Sequence, residues 1–364
     1  MFAFVVPPRS GALAQPGRPL PPAPLRPALI VGDTHPLKDV SDAVQAGDTL
    51  LLVLTSGAPA VHTFASSGVR TWGGRGQGPG EIENATAIGV RSDVVHILET
   101  SPGDSRIELF DLAGRHVRAV RFRGLGLVVR ASPVSGGFVV EAGGFAQPTR
   151  SLRIVNDSGV AGDSLAGWTV PPRVALAPAR GPRFGTSQPF APVTEWAALP
   201  DGSVALWNPG DGAVTMIRNG RRTALRLPAL EPLRLTTADR DAWLARRFPP
   251  GFMNMGEDPL RYVRQEAIRT LKFPEVFPAV LELRAGASGE VWAQRSPASQ
   301  GEEWLILAEG RACRRLRLPV GRELLFLGPG VLIAKSVDDL GVERVERYRT
   351  ADVEPHIASC LAAG

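Results

Sequence analysis

Residues 72–118 read WGGRGQGPGEIENATAIGVRSDVVHILETSPGDSRIELFDLAGRHVR. This segment contains a glycine-rich turn and then four short apolar runs, separated by Gly, Ser, Pro and Asp. Short runs of apolar and β-branched residues between turn-forming residues are typical of β-strands. The dipeptide Ala113-Gly114 supplies the backbone freedom that a tight hairpin needs. The segment therefore predicts one antiparallel sheet of four strands.

The same two signals recur along the chain. The first is a small or acidic residue followed by an apolar run, and the second is an alternating strand that ends at a Gly-centred turn. In each copy the signals lie 18 to 22 residues apart, a regular spacing that indicates a repeat architecture. The sixth copy has Asp in place of the turn glycine. The residues that mark the two signals in the six copies are Asp48 with Gly68, Asp93 with Gly114, Gly137 with Gly159, Gly202 with Gly220, Gly289 with Gly310, and Gly330 with Asp352.

Six such sheets predict an all-β fold, a six-bladed β-propeller. An isolated four-stranded sheet would expose two faces and two edges, whereas radial stacking buries the faces and protects the edges. The ring must also close. Residues 27–32, PALIVG, have no partner in the first unit, and the sixth unit has little sequence left for an outer strand. We therefore expect this early strand to complete the last blade.

The run GRGQGPGE at residues 74–81, followed by RIELFDLAG at residues 106–114, resembles the bacterial six-bladed β-propeller family related to NHL-repeat and TolB-like propellers. In that family a turn of the GxGxGPGE type commonly links the first blade to the second. The resemblance covers about residues 25–352 and is strongest within residues 72–118. It implies the fold but little about activity, because propellers serve as lyases, lactonases and binding modules alike.

Two insertions interrupt the repeat, before the fourth and the fifth units. Residues 167–189 are rich in Gly, Pro and Arg, and we expect an irregular loop there. Residues 231–278 predict helices, because Thr236 to Asp239 resembles a capping box and Asp258-Pro259 precedes a second stretch with apolar residues at helical spacing. The propeller thus acquires a helical insertion before its fifth blade.

Both insertions are expected on one side of the ring. In a propeller, the connection from an outer strand to the next inner strand lies on the same side as the loop between the second and third strands. We call this side the loop face; it also holds the GRGQGPGE turn. Because scaffolds carry function on loops, we expect a ligand to bind there, through residues that project from these loops: Arg75, Gln77, Glu81, Asp104, Arg106, Asn208 and Asp211.

Each candidate site has a simpler structural interpretation. GRGQGPGE could form an anion-binding nest beside Arg75, but it lacks the Lys-Ser/Thr of a phosphate loop, which favours a structural turn between blades. The pair Asp104 and Arg106 could meet an acidic ligand or pair with each other in solvent. The five histidines never occur at metal spacing, so no metal or other cofactor is predicted. Inter-blade packing is the expected role of Trp196, Trp207, Trp292 and Trp304.

The composition of the chain limits the kinds of partner that we expect. The net charge is +5 with a pI near 9.8, but the 41 basic residues are scattered and include only three lysines. A surface that follows a phosphate backbone gathers its charges on one face, so nucleic acid is not expected. No apolar run is long enough to span a membrane. We expect a monomer. Cys313 and Cys360 leave two alternatives open, one disulfide or two free buried thiols.

The N-terminus resembles the end of an export signal. Residues 1–14 contain an apolar run and then Ala12-Leu13-Ala14 before Gln15, which fits a small-x-small cleavage pattern without the usual basic start. A signal clipped by a late start is favoured over a disordered tail. Residues 15–27 form a proline-rich linker, and residues 28–364 form one propeller. A periplasmic or secreted bacterial protein is therefore expected.

Three functions fit these observations. The first is a noncatalytic exported propeller that binds a protein, peptide or glycan through its capped loop face, because no convergent acid, base or metal set appears. The second is a hydrolase or lyase of the lactonase or amidating-lyase type with calcium on the channel axis, for which Glu81, Glu195 and Glu282 are the few acidic residues near inner-strand starts. The third is a cytosolic scaffold with a disordered N-terminus.

Overall fold

The computed structural model describes residues 25–100, 105–143, 148–178, 183–229, 231–248, 260–286, 288–309 and 313–359. Within these ranges the strands pair into six antiparallel sheets of four or five strands, with one separate two-stranded hairpin. The chain begins with a short strand, β1 (Leu29–Val31). The sheets then follow in chain order as the blades of a propeller, which confirms the six-bladed fold predicted from the repeat.

The first three blades are built from consecutive strands, each from the innermost to the outermost. Blade 1 comprises β2 (Val40–Ala46), β3 (Leu50–Thr55), β4 (Val61–Ala65) and β5 (Gly68–Trp72). Blade 2 comprises β6 (Ala85–Arg91), β7 (Val94–Glu99), β8 (Arg106–Asp111) and β9 (His116–Arg121). Blade 3 comprises β10 (Leu127–Val134), β11 (Gly137–Gly143), β12 (Thr149–Asn156) and β13 (Ala161–Thr169).

Two insertions separate the remaining blades. A hairpin of β14 (Val174–Leu176) and β15 (Phe184–Thr186) precedes blade 4, which comprises β16 (Glu195–Ala198), β17 (Val204–Trp207), β18 (Ala213–Arg218) and β19 (Arg221–Arg226). Helices α1 (Thr237–Arg247) and α2 (Leu260–Thr270) precede blade 5, which comprises β20 (Glu282–Ala285), β21 (Val291–Gln294), β22 (Glu303–Leu307) and β23 (Arg314–Arg317). Blade 6 comprises β24 (Arg322–Gly328), β25 (Val331–Val337) and β26 (Glu343–Arg349), before the short helix α3 (Thr350–Val353) and β27 (Ala358–Ser359).

Both ends of the described chain hold the ring together. β1 pairs antiparallel with β26, with Ile30 opposite Glu346, so the early strand is the outer strand of blade 6 as predicted. β27 pairs with β23 and adds a fifth strand to blade 5. Cys313, directly before β23, is disulfide-bonded. The only other cysteine of the sequence is Cys360, which lies outside the described residues. Of the two alternatives for the cysteines, the disulfide is therefore the one found.

The core lies between the blades, as radial stacking requires. Six separate clusters of buried apolar side chains fill the six junctions between neighbouring sheets. Trp196 packs between blades 3 and 4, Trp207 between blades 4 and 5, and Trp292 and Trp304 between blades 5 and 6. The prediction that these tryptophans serve inter-blade packing is confirmed.

The two insertions pack together as one unit, which we call the cap: the β14–β15 hairpin with α1 and α2. Leu176 of the hairpin shares a buried cluster with Leu244 and Phe248 at the end of α1 and with Val263 of α2. The helical prediction is confirmed, whereas the irregular loop expected at residues 167–189 is wrong, because β13 continues to Thr169 and the hairpin follows. Its strands form because the helices supply the apolar surface that the hairpin lacks alone.

One residue fixes both the start of α1 and the position of the cap. Asp239 forms the predicted capping box with Thr236, since its backbone N–H donates to the Thr236 hydroxyl at 3.3 Å and its carboxylate accepts from the Thr236 N–H at 2.8 Å. The same buried carboxylate accepts hydrogen bonds from Ser299 and Gln300 of blade 5, both at 2.7 Å. The cap is thus anchored on the loop between the second and third strands of blade 5.

The described part of the chain contains no helix with the length and apolar character needed to cross a membrane.

Candidate functional site

Charged side chains converge at the centre of the ring. Asp42 lies on β2, Arg130 on β10, Glu195 on β16, and Glu282 and Arg284 on β20, all innermost strands and all within the first four residues of their strand. Inner strands begin at the loop face, so the five side chains lie toward the loop-face mouth of the central channel. We call this group the channel cluster.

Arg130 connects three blades. Its Nη1 lies 3.3 Å from Glu195 Oε2, its Nη2 donates to the carbonyl oxygen of Leu283 at 3.3 Å, and its guanidinium stacks over Trp196 at 4.6 Å from the ring centroid. Such stacking suits the planar guanidinium better than an ammonium. The Arg130 side chain is nevertheless 35% exposed, so the ion pair remains accessible from the channel.

Blade 5 supplies a second ion pair. Arg284 Nη2 lies 2.9 Å from Glu282 Oε1, and Nη1 donates to the carbonyl oxygen of Leu325 on blade 6. Asp42, on blade 1, accepts hydrogen bonds from the N–H groups of Ala43 and Ile88. It also interacts electrostatically with Glu282 and Arg284, although blade 6 separates its own blade from blade 5. The Asp42 carboxyl therefore lies close enough to this ion pair for its pKa to respond to the two charges.

Two of these carboxyls titrate near neutrality. Burial raises the pKa of Glu195 to about 7; Arg130 opposes the shift, and the charges of Glu282 and Glu141 add to it. Burial likewise raises the pKa of Asp42 to about 6, against its hydrogen bonds and Arg284. Desolvation penalises the charged form of a carboxyl, so both hold a proton more tightly than exposed carboxyls do. The cluster can exchange a proton at neutral pH.

A cavity of about 310 Å³ opens beside the GRGQGPGE turn, between blades 1 and 2. Its lining is mainly hydroxyl, amide and small side chains, with one carboxylate: Thr55, Ser56, Gly57, Ala60, Ile82, Glu83, Asn84, Ala85, Thr86 and Thr100. These residues come from the loop between β3 and β4, the connection between β5 and β6, and the end of β7. The cavity therefore belongs to the loop face and offers hydrogen-bonding groups to a small polar ligand.

The GRGQGPGE turn satisfies its own donors. The N–H of Gly78 donates to Glu81 Oε2 at 2.8 Å, and Gln77 Nε2 donates to Glu83 at 2.8 Å. A Cβ atom at Gly76 would lie 2.1 Å from the Glu81 carboxylate, so a larger residue there would displace the end of the Glu81 side chain. Glu81 thus occupies the position that an anion would take in a nest. Arg75 is exposed on the same turn.

Arg106 belongs to a second charged group, which we call the blade-2 cluster: Glu99, Arg106, Glu108 and His116. Arg106 lies 2.7 Å from Glu99 and 2.6 Å from Glu108, and Glu108 lies 2.7 Å from His116 Nε2. Glu99 also accepts the N–H of Glu83, and Arg106 donates to the carbonyl oxygen of Gln77. The cluster ties the GRGQGPGE connection to blade 2. Asp104, the expected partner of Arg106, lies outside the described residues.

Asn208 and Asp211 lie on blade 4. Asn208 Nδ2 donates to the Asp211 carboxylate at 3.1 Å, and the Asp211 carbonyl accepts from Trp207 Nε1 at 3.0 Å. The described sequence-predicted residues therefore fall into two groups, one at the connection to blade 2 and one on the second-to-third-strand loop of blade 4. Of the channel cluster, Glu195 and Glu282 carry a sequence signal, an acidic residue at an inner-strand start. Asp42, Arg130 and Arg284 carry none that the repeat pattern distinguishes.

The residues present do not fit a calcium site. Calcium takes six to eight oxygen ligands, and no group of three or more His, Cys, Asp or Glu side chains within the described residues could hold a metal ion. In the channel, Glu195 and Glu282 face the guanidinium groups of Arg130 and Arg284.

Comparison with protein-family models finds no match, and comparison with curated proteins finds none either. Solved structures do match. A candidate exported protein from Bacteroides fragilis NCTC 9343 is 11% identical, with 87% of this chain and 92% of that chain covered and a TM-score of 0.45. A virginiamycin B lyase from Staphylococcus aureus is 9% identical, with 85% and 96% covered and a TM-score of 0.42. A candidate gluconolactonase is 13% identical, with 93% and 100% covered and a TM-score of 0.43. At these identities and TM-scores the matches support no conclusion about what this protein does.

Proposed function

We propose that this protein is a noncatalytic, exported β-propeller that binds a protein, peptide or glycan through its capped loop face. The single observation that supports this most is the channel cluster, a partly exposed charged group at the mouth of the channel. The cap and the polar cavity beside the GRGQGPGE turn lie on the same face. Binding sites commonly combine such a concave surface with a few convergent polar groups.

The charges favour a peptide or protein ligand that presents a basic side chain. Fully ionised, the channel cluster has three carboxylates and two guanidiniums, so one negative charge remains uncompensated. A lysine or arginine side chain of the ligand would supply the missing positive charge. Such a cation stabilises the ionised forms of Asp42 and Glu195 and therefore displaces protons. Binding is expected to strengthen as the pH rises through about 6 to 7, the range in which the two carboxyls titrate.

A random peptide display library, selected on the immobilised protein, tests this proposal. We expect enrichment of peptides that contain Lys or Arg, and a loss of affinity of about tenfold or more with the double variant Glu195→Gln/Glu282→Gln. The matched control is Asp48→Asn/Glu309→Gln, which removes two exposed carboxylates from the opposite face and should change affinity less than about twofold. If the selected peptides bind Glu195→Gln/Glu282→Gln as tightly as they bind the control variant Asp48→Asn/Glu309→Gln, the ligand does not bind at the channel mouth. A parallel array of neutral glycans tests whether the ligand is a glycan and not a peptide or protein.

Export has its own test. Mass spectrometry of the protein purified from its native source should find a mature N-terminus at Gln15. A protein that retains Met1 would instead favour the cytosolic scaffold.

One observation favours a second candidate, a hydrolase or lyase. Glu195, with a pKa of about 7 beside Arg130, has the proton affinity of a general acid or base at neutral pH. Turnover of a panel of lactones and esters, lost in Glu195→Gln and retained in Glu309→Gln, would support catalysis over simple binding. Stoichiometric calcium in the purified protein would contradict the conclusion that the described residues do not fit a calcium site.

A further inference from the structure

A larger cavity lies on the side of the ring opposite the loop face. We call this side the turn face, because it holds the turns between first and second and between third and fourth strands. The cavity has a volume of about 560 Å³ and opens between blades 4 and 5. The described residues that line it include Met216 and Leu225, Arg218 and Arg221, Thr223 and Glu309. It is separate from the channel cluster and from the polar cavity beside the GRGQGPGE turn.

At the first two blade junctions an arginine of the outer strand reaches across the corresponding space. Arg70 of blade 1 donates to the carbonyl oxygens of Leu112 and Ala113 in the turn of blade 2, both at 3.3 Å. Arg118 of blade 2 donates in the same way to the carbonyl oxygen of Asp157 in the turn of blade 3, at 2.9 Å. Each arginine is the third residue of its outer strand and reaches across to the next blade.

Blade 4 departs from blades 1 and 2 at the third position of its outer strand, and at the fifth position it departs from blade 1 alone, since blade 2 has Val120 there. The third residue of its outer strand is Thr223, and the fifth is Leu225, where blade 1 has Trp72. The pairing agrees, since Thr223 lies opposite Met216 on the third strand as Arg70 lies opposite Thr63. A threonine and a leucine are smaller than an arginine and a tryptophan. Within the described residues, the cavity between blades 4 and 5 therefore corresponds to the position that Arg70 and Trp72 take at the first junction.

The lining indicates an amphipathic anion. Met216 and Leu225 form an apolar inner wall and are both buried. Two guanidiniums, of Arg218 and Arg221, line the cavity with the carboxylate of Glu309. Arg218 is paired with Asp201 at 3.2 Å, so Arg221 is the cation that we assign to the anionic group of the ligand. We propose that this cavity binds a small molecule with an aromatic or alkyl body and one carboxylate or sulfonate group. Its volume lies within the range of about 300 to 1,000 Å³ that is usual for small-molecule sites.

The test uses two fluorescent probes of similar shape, anionic 1-anilinonaphthalene-8-sulfonate and uncharged N-phenyl-1-naphthylamine. We expect saturable binding of the anionic probe to the full chain. Thr223→Arg restores the arginine of blades 1 and 2, fills the cavity, and should weaken that binding about tenfold or more. Ala224→Arg is the matched control: it adds the same side chain at the next, exposed position and should change affinity less than about twofold.

A variant that removes one positive charge tests separately whether the cavity prefers an anionic ligand. Arg221→Gln should weaken binding of the anionic probe several-fold and leave binding of the uncharged probe unchanged, because only a charge-assisted contact is lost. Equal affinity of Thr223→Arg and the unaltered protein for the anionic probe would overturn the proposal, as would the absence of saturable binding. Circular dichroism verifies the fold, and Leu225→Phe fills the same space without a charge if Thr223→Arg does not fold. This proposal stands independently of the loop-face ligand.

Discussion

The channel cluster and the blade-2 cluster both combine arginine with glutamate, yet they differ in burial and pairing. In the blade-2 cluster the side chains of Arg106, Glu99 and Glu108 are 7%, 5% and 2% exposed, and Arg106 contacts both carboxylates. In the channel cluster Arg130 is 35% exposed and Glu195 16%. A charge that is buried and fully paired can fix backbone geometry, whereas an accessible and incompletely compensated group can still gain a partner.

The difference separates a structural role from a binding role. In the sequence, Arg106 is a candidate because it begins a strand beside a polar loop. In the structure, it joins the GRGQGPGE connection to blade 2. Glu195 and Glu282 stand out only as acidic residues at strand starts, and they then meet two arginines at the ring centre. The burial of the side chains and the number of their charged partners decide between the two roles, and neither can be seen in the sequence.

The largest expected effect comes from removing one arginine of each cluster. Arg106→Met leaves Glu99 and Glu108 buried without their shared partner and should lower the free energy of unfolding by about 3–5 kcal/mol. Arg130→Met should cost about 1 kcal/mol or less, since Glu195 can take up a proton and solvent reaches the site. Urea denaturation measures both. Arg75→Met, on an exposed loop, should stay within about 0.5 kcal/mol. Equal losses in the first two variants would remove the distinction between the clusters.

An intermediate effect should appear in the pH dependence of stability. The pKa of Glu195 is raised to about 7 in the folded state, so the folded protein binds this proton more tightly than the unfolded chain does. The stabilisation from this group is present at low pH and is lost as the pH rises through the folded pKa. Between about pH 5 and pH 8 the group should lower the free energy of unfolding by about 1–3 kcal/mol.

The variant Glu195→Gln removes this titration and should flatten the decline in unfolding free energy over that pH range. Glu309→Gln, an exposed carboxyl on the turn face, should leave the decline as it is. If Glu195→Gln retains the full pH dependence, Glu195 does not cause it; burial also raises the pKa of Asp42 to about 6 and that of Glu302 on blade 5 to about 7, so one of these carboxyls would then be responsible.

The smallest expected effect concerns the outer end of the blade-2 cluster. His116→Leu removes the N–H group that lies 2.7 Å from the buried Glu108 carboxylate and should cost about 1–2 kcal/mol in urea denaturation. His116→Gln keeps a donor and should recover part of that loss. A loss of the same size in both variants would indicate that ring packing against Phe110, rather than the hydrogen bond, holds His116 in place.

The blades, the closing strand and the helices could be predicted because each depends on signals close together in sequence. Strand runs, Gly turns and the capping box at Thr236 and Asp239 act over a few residues, and the repeat multiplies the evidence. The β14–β15 hairpin could not be predicted in this way, because its short strands depend on apolar contacts with α1 and α2. Likewise, nothing near Arg130 in sequence indicates that Glu195 and Leu283 will lie beside it.

By itself the sequence determined the number of blades, how the ring closes and which face carries the insertions, since repeated local patterns specify sheets and sheets must stack to bury their faces. Tertiary structure alone decided which charges meet. The five residues of the channel cluster come from four blades and lie up to 242 positions apart, from Asp42 to Arg284. Only ring closure brings them together at the axis. Likewise, the cavity at Thr223 forms only where blades 4 and 5 meet.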